Sequence, residues 1–245
     1  MIETCKVEDL SCKLYIPQAE IRKIVIGIHG FSSNKESAVF KPLAEMLNKK
    51  GIVLLTCDLP CHGESSKPNE VLSLKRCLDA ICNIEEFAIE TFHAPIAFFA
   101  TSFGAYLLLL HLAEKKNVAS DVILRSPAIY MDEIFEKVLL QDHGFSVNDL
   151  GSVSLGWESS NYPVVDLAFY KDLCKNRLRN MKFNFFVNVI QGQKDEVVDW
   201  KKNEEFFKDK FAGKHILFYS KNSSHRFKSP EELKWNVKIA EQVFN

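Results

Sequence analysis

Pro95-Ile96-Ala97-Phe98-Phe99-Ala100-Thr101-Ser102-Phe103-Gly104-Ala105 is the stretch whose reading decides the fold. An apolar run meets Ala-Thr-Ser-Phe-Gly, and a leucine-rich run follows at once, with Leu107 to Leu110 and Leu112. The pattern predicts a buried strand, a sharp turn with serine at its apex, and a buried helix. That is the arrangement of a nucleophile elbow, in which the turn lifts a hydroxyl above the sheet and points a helix N-terminus at it. Strand and helix backbones pass close together there, so the positions two before and two after the serine must be small. Gly104 meets the demand fully; Ala100 stands where a second glycine is usual.

Outward from the elbow, the same strand-then-helix rhythm recurs. Lys23-Ile24-Val25-Ile26-Gly27-Ile28 is a nearly continuous apolar run, as expected of a strand covered on both faces. It ends in His29-Gly30-Phe31-Ser32-Ser33-Asn34, a glycine turn, with a helix expected over about 35–50. Gly30 allows a tight turn that exposes the following N–H groups. The Phe31 N–H, with the Phe103 N–H, is the candidate pair of donors to a developing oxyanion. Gly51 to Cys57 repeats the buried-strand pattern and leads into the turn Asp58-Leu59-Pro60-Cys61-His62-Gly63-Glu64-Ser65. His62 reads there as a loop histidine with satisfied ring nitrogens, not as a base. Residues 71–92 carry Leu74, Cys77, Leu78, Ile81, Ile84, Phe87, Ala88 and Phe92 at helical spacing.

Val122-Ile123-Leu124 is the next strand, followed by Arg125-Ser126-Pro127. Beyond it the rhythm breaks over about 130–180, where helical stretches, glycines and the aromatics Phe135, Phe145, Trp157, Tyr162 and Phe169 occur. So long an insertion in a regular fold is expected to be functional, here as a cap roofing a substrate pocket. Strands return at Phe185 to Ile190 and Lys214 to Tyr219. The first exits into Gln191-Gly192-Gln193-Lys194-Asp195, the second into Ser220 to Phe227 with His225. Asp199, just before Trp200 and a charged helical run, reads as an N-cap. Ser229-Pro230-Glu231-Glu232 opens the last helix with an N-cap serine, a first-turn proline and a capping-box glutamate. Residues 1–16 alternate apolar and polar positions, as in a peripheral strand or hairpin.

Ser102, Asp195 and His225 thus follow three strands in chain order. Strand ends on the carboxyl edge of an open parallel sheet converge on one crevice. Acyl chemistry needs a nucleophile, a base within hydrogen-bond reach and an acid that orients the base. Those are the roles assigned to Ser102, His225 and Asp195.

The set of motifs resembles the α/β-hydrolase superfamily from about residue 20 to the end. It is similar to the small capped serine hydrolases: carboxylesterases of the cinnamoyl and feruloyl type, monoacylglycerol-lipase-like proteins and acyl thioesterases. His29-Gly30-Phe31 matches the oxyanion loop, Thr101-Ser102-Phe103-Gly104 the elbow, Gly192-x-x-Asp195-x-x-Val198 the acid turn and Ser224-His225-x-Phe227 the histidine loop. Asp58 to Ser65 matches the family's Asp-x-Pro-Gly-His-Gly-x-Ser turn, except that Cys61 replaces a glycine and is expected to bring a thiol near the crevice. The resemblance implies one domain over 1–245, about eight mostly parallel strands with helices on both faces, and the 130–180 insert as a lid. It implies a Ser-His-Asp esterase working through an acyl-enzyme, with acyl thioesterase chemistry or a non-catalytic binding protein as the alternatives. Substrate contacts are expected from the insert.

Bulk properties narrow the rest. A net charge of −1 gives no reason to expect nucleic acid as a partner. No apolar run reaches the roughly 20 residues needed to span a bilayer, and the N-terminus lacks the apolar region of a signal peptide. Seven scattered cysteines without CxxC spacing fit free thiols in a reducing, cytoplasmic setting. The histidines at 29, 62, 93, 111, 143, 215 and 225 lack metal-ligand spacing, and no strand leads into GxGxxG, so neither metal nor dinucleotide is expected. The expected partner is a small ester or thioester, with no cofactor.

Overall fold

The computed structural model describes residues 1–67, 70–115, 121–141, 144–151 and 163–245, with the side chains of 138, 139 and 151 outside that description. Its centre is a sheet of eight strands in the order β1-β2-β4-β3-β5-β6-β7-β8. The hairpin β1 (Ile2–Val7) and β2 (Leu10–Tyr15) is antiparallel and joins β4 (Ile52–Cys57) antiparallel at one edge. From β4 onward, β3 (Lys23–Ile28), β5 (Ile96–Thr101), β6 (Val122–Arg125), β7 (Val187–Gly192) and β8 (His215–Ser220) run parallel. The continuous apolar runs follow from this topology. Every residue of β4 and of β6 is buried, because helices cover both faces of a parallel sheet.

Two clusters fill the two faces. Alternation along β5 shows the division: Phe98 and Ala100 belong to the cluster shared with α2 (Leu74–Phe92) and α3 (Phe103–Ala113). Ala97 and Phe99 belong to the cluster shared with α1 (Phe40–Asn48) and α7 (Pro230–Val243). In α3, residues 103–112 are all buried, as the unbroken leucine run requires. The capping box of Ser229 and Glu232 is formed as the sequence predicts.

The departures have local causes. Helix α1 starts at Phe40 and not near 35, because Lys35 is pinned: both its N–H and its Nζ, each at 2.7 Å, bond the Asp58 carboxylate. Strand β7 starts at Val187, two residues later than the apolar run suggests, since pairing with β8 begins at Val187↔His215. Phe185 is spent on Phe183 and Phe211 instead, at ring distances of 5.8 and 5.6 Å.

Between β6 and β7 the chain leaves the sheet. It forms α4 (Met131–Ile134), a π-helical turn (Phe135–Leu140), a 3-10 turn (Val147–Gly151) and α5 (Leu167–Lys175). Trp157 and Tyr162 of the expected cap, and His143, lie outside the described residues. What is described is tied down firmly. Buried Asp132 takes Arg177 at 2.7 Å and Arg179 at 3.0 Å, and Phe169 of α5 packs edge-on against Phe103, 6.2 Å away.

Candidate active site

Ser102 sits between β5 and α3 at φ 53°, ψ −116°. That conformation costs a non-glycine residue about 1–3 kcal/mol and persists only where surroundings hold it. Here the Ser102 N–H donates to Arg125 O at 2.9 Å, and its carbonyl accepts from Ala105 N (3.0 Å), Tyr106 N (3.2 Å) and Ala128 N (3.2 Å). Gly104 is obligatory: a Cβ there would run into the carbonyl oxygen of His29. Ala100, by contrast, is buried without conflict.

The three residues picked out from sequence meet. His225 Nε2 lies 2.9 Å from Ser102 Oγ, and His225 Nδ1 lies 2.9 and 3.0 Å from the two oxygens of Asp195. The Asp195 side chain is fully buried, and its carboxylate is held in place by Val197 N–H (3.0 Å), Val198 N–H (2.8 Å) and Gln191 Nε2 (3.0 Å). Asp199 caps α6 (Trp200–Lys210) through Lys201 N–H and Lys202 N–H, at 2.9 and 3.3 Å.

The loop bearing His225 is clamped by the end of β6, at Arg125 and Ser126. Ser126 Oγ donates to His225 O at 3.0 Å, and Arg125 Nη2 donates to the next carbonyl, Arg226 O. The dipeptide Arg-Ser carries no local signal for this, because its partners lie about a hundred residues away.

On the other side of Ser102, Phe31 and Phe103 stack edge to face at 5.7 Å. Phe103 opens α3, where helical geometry leaves backbone N–H groups without intrahelical partners. Phe31 is carried by the turn after β3, and His29 anchors that turn. His29 Nδ1–H donates to Gly30 O at 2.8 Å, and Nε2 accepts from Leu59 N–H at 3.0 Å, which fixes a neutral tautomer. Burial drives its pKa down to about 3. His62 is also buried, donates from Nδ1 to Pro60 O at 2.8 Å, and is pushed down to about 4 by desolvation. Its Nε2 is buried and has no hydrogen-bond partner among the described residues, contrary to the expectation of a fully satisfied ring.

Cys61 does not bring a thiol to the crevice. It occupies a left-handed position (φ 63°), which accounts for the family's glycine, and its side chain is buried. Desolvation, and then the nearby charge of Glu70, push that thiol up to about 12.

A cavity of about 480 Å³ opens at Ser102 and His225. The segment between β6 and β7 supplies Met131 and Ile134 to its wall. Most of the remaining wall comes from residues 30–39 and 225–228, which the sequence did not single out as substrate-binding. Among the described residues no cluster of His, Cys, Asp or Glu could hold a metal ion, and no helix is long and apolar enough to cross a membrane.

The sheet order and the serine elbow define an α/β hydrolase. Residues 19–180 match the hydrolase family described as serine aminopeptidase, S33, and the chain belongs to that family. Among curated proteins, a monoglyceride lipase homolog of monkeypox virus is 22% identical over 260 residues, covering 96% of this chain and 94% of that protein. Among solved structures, Est1E from Butyrivibrio proteoclasticus with bound ferulic acid superposes with a TM-score of 0.82 at 20% identity, covering 99% of this chain and 97% of that one. Mouse alpha/beta hydrolase domain-containing protein 10 does so with a TM-score of 0.75 at 15% identity, covering 100% and 98%.

Proposed function

We propose that this hydrolase cleaves carboxylic esters by a two-step acyl transfer. The carrying observation is the unbroken chain Ser102 Oγ, His225, Asp195, with both links at about 2.9 Å. Serine alone is not nucleophilic at neutral pH. His225 Nε2 takes its proton as Oγ attacks the carbonyl carbon, and Asp195 stabilises the imidazolium and fixes the ring. The N–H groups of Phe31 and Phe103 receive the oxyanion. His225 then delivers the proton to the departing alcohol, leaving an acyl-Ser102. Water, losing a proton to His225, releases the acid and restores the serine.

Esters are favoured over aminopeptides by charge. An aminopeptidase must hold a free ammonium near its serine. The cavity wall instead carries Arg125, Arg226 and Lys228, and its one acidic side chain among the described residues, Glu36, is already paired with Lys13 at 2.6 Å. The name of the viral relative points the same way. The segment around Met131 and Ile134 acts in this reading as the cap.

The test is labelling by a fluorophosphonate probe beside turnover of aryl esters, aryl thioesters and aminoacyl anilides. Labelling of the wild-type protein that vanishes in Ser102→Ala, with ester turnover fastest, supports the proposal. Faster thioester cleavage would reassign the substrate. No labelling at all would make this a binding protein on a hydrolase fold.

A further inference from the structure

Arg125 is a buried cation that lacks a counter-ion. Only 4% of it is exposed, yet it forms no ion pair among the described residues. Its Nε donates to Asn236 Oδ1 at 3.2 Å, its Nη2 donates to Arg226 O, and its guanidinium stacks on Phe227 with 4.9 Å to the ring centre. Both hydrogen-bond partners are neutral. Nη1 has no partner among the described residues. Asp195 and Glu232 act on it only through space, and both carboxylates are engaged elsewhere, with the His225 ring and with Ser229 N–H. Burial accordingly pulls the guanidinium down to about 10. A charge taken out of water without a partner is costly, and an arriving anion relieves that cost.

The surroundings fit an anion. Arg125 lines the same cavity as Ser102, one strand over, and is the register partner of Thr101. Thr101 is itself buried, and its Oγ1 has no hydrogen-bond partner among the described residues. Arg226 and Lys228 stand exposed at the rim. Val39, the residue before the first turn of α1, lines this cavity and no side chain caps the helix there, so the positive end of its dipole lies at the same space.

We propose that the cavity contains, beside Ser102, a subsite for an anionic group carried by the substrate, so that the preferred esters bear a carboxylate. The carboxylate pairs with Arg125 and borrows the Thr101 hydroxyl as a further donor. This rests on the ester-hydrolase reading above, and the two are separable by experiment.

Binding is measured by calorimetry on full-length Ser102→Ala protein with monomethyl glutarate, its neutral analogue dimethyl glutarate, and acetate. The expected result is monomethyl glutarate bound at least tenfold more tightly than either of the others. Thr101→Val and Arg125→Met should each cut that preference at least fivefold. If Arg125→Met does not fold, Ala38→Asp on the exposed rim should do the same by adding a competing carboxylate. Equal binding of the monoester and the diester overturns the subsite, as does acetate binding as tightly as the monoester, or a preference that survives these substitutions. Wild-type protein that labels with fluorophosphonate but shows no carboxylate preference loses only the subsite. A carboxylate preference without labelling loses only the ester-hydrolase reading.

Discussion

The hydroxyl of Ser126 donates a 3.0 Å hydrogen bond to the carbonyl oxygen of His225, so the strand beside the elbow fixes the backbone of the proposed base. Ser126 itself sits at φ 45°, fully buried, where its N–H donates to Ile190 O at 2.8 Å. Two parallel strands therefore set the height of the His225 loop. Ser126→Ala removes one buried hydrogen bond and leaves a carbonyl short of a donor, a loss of about 1 kcal/mol in stability. If half to all of that is felt in the alignment of Nε2 on Ser102 Oγ, turnover falls about two- to fivefold. Denaturant titration and kcat on one aryl ester check both; wild-type values for both would remove the clamp from the account.

The two aspartates near β7 separate cleanly. Asp195→Asn keeps the shape but loses the charge that holds the imidazole, and turnover should drop by about 10⁴-fold. Asp199→Ala should leave turnover near wild type and cost about 1 kcal/mol in stability, because it removes an N-cap. The opposite pattern would move the proposed acid role to Asp199.

Gly104→Ala is expected to be far worse than its size suggests. The added methyl meets the carbonyl oxygens of His29 and Ile28, both backbone atoms that can yield only by shifting the end of β3 and the turn after it. Overpacking of this kind costs about 1–3 kcal/mol, and melting should register it as a clear drop. Ala100→Gly, on the far side of the elbow, should cost about 1–2 kcal/mol, from backbone entropy and the loss of a methyl buried in the core. A Gly104→Ala protein that melts with the wild type would contradict the packing described.

How much of this was legible in the sequence depends on how local each cause is. Ser102, Asp195 and His225 could be picked out because each follows a mostly apolar strand, and strand exits in a parallel sheet share an edge. The Ser229 and Asp199 caps were legible because capping acts within one turn. The start of α1 was not, since it depends on Lys35 reaching Asp58, which is 23 positions away in the chain. The polar wall of the cavity was hidden for the same reason: Arg125 is only the last residue of a strand until Asn236 of α7 and the His225 loop close over it.

Acid should unfold this protein through the buried histidines His29 and His62. His29 and His62 titrate at about 3 and about 4 when folded, and near 6.5 when unfolded. Above pH 6.5 both are neutral in either state, and their contribution is complete. As pH falls below 6.5 the unfolded chain binds protons that the folded one refuses, so stability declines. The slope is about 1.4 kcal/mol per pH unit for each histidine, until pH reaches about 4 for His62 and about 3 for His29. Urea midpoints between pH 7.5 and 4.5 should show a plateau and then this fall, and His62→Gln should halve its slope.

The thiols should sort by burial. Of the seven cysteines only Cys82 is exposed, on α2, with its Sγ 3.6 Å from His111 Nδ1; Cys5 and Cys174 are half-buried. Cys12, Cys57, Cys61 and Cys77 are buried, and desolvation raises the pKa of each. The thiolate is the reactive form, so one fast equivalent of an aromatic disulfide reagent should be consumed by native protein and disappear in Cys82→Ser. Hydrolysis should survive that labelling, because Cys82 stands outside the cavity wall. Cys61 should react only when the chain unfolds, and rapid modification of Cys61 with loss of turnover would return its thiol to the crevice.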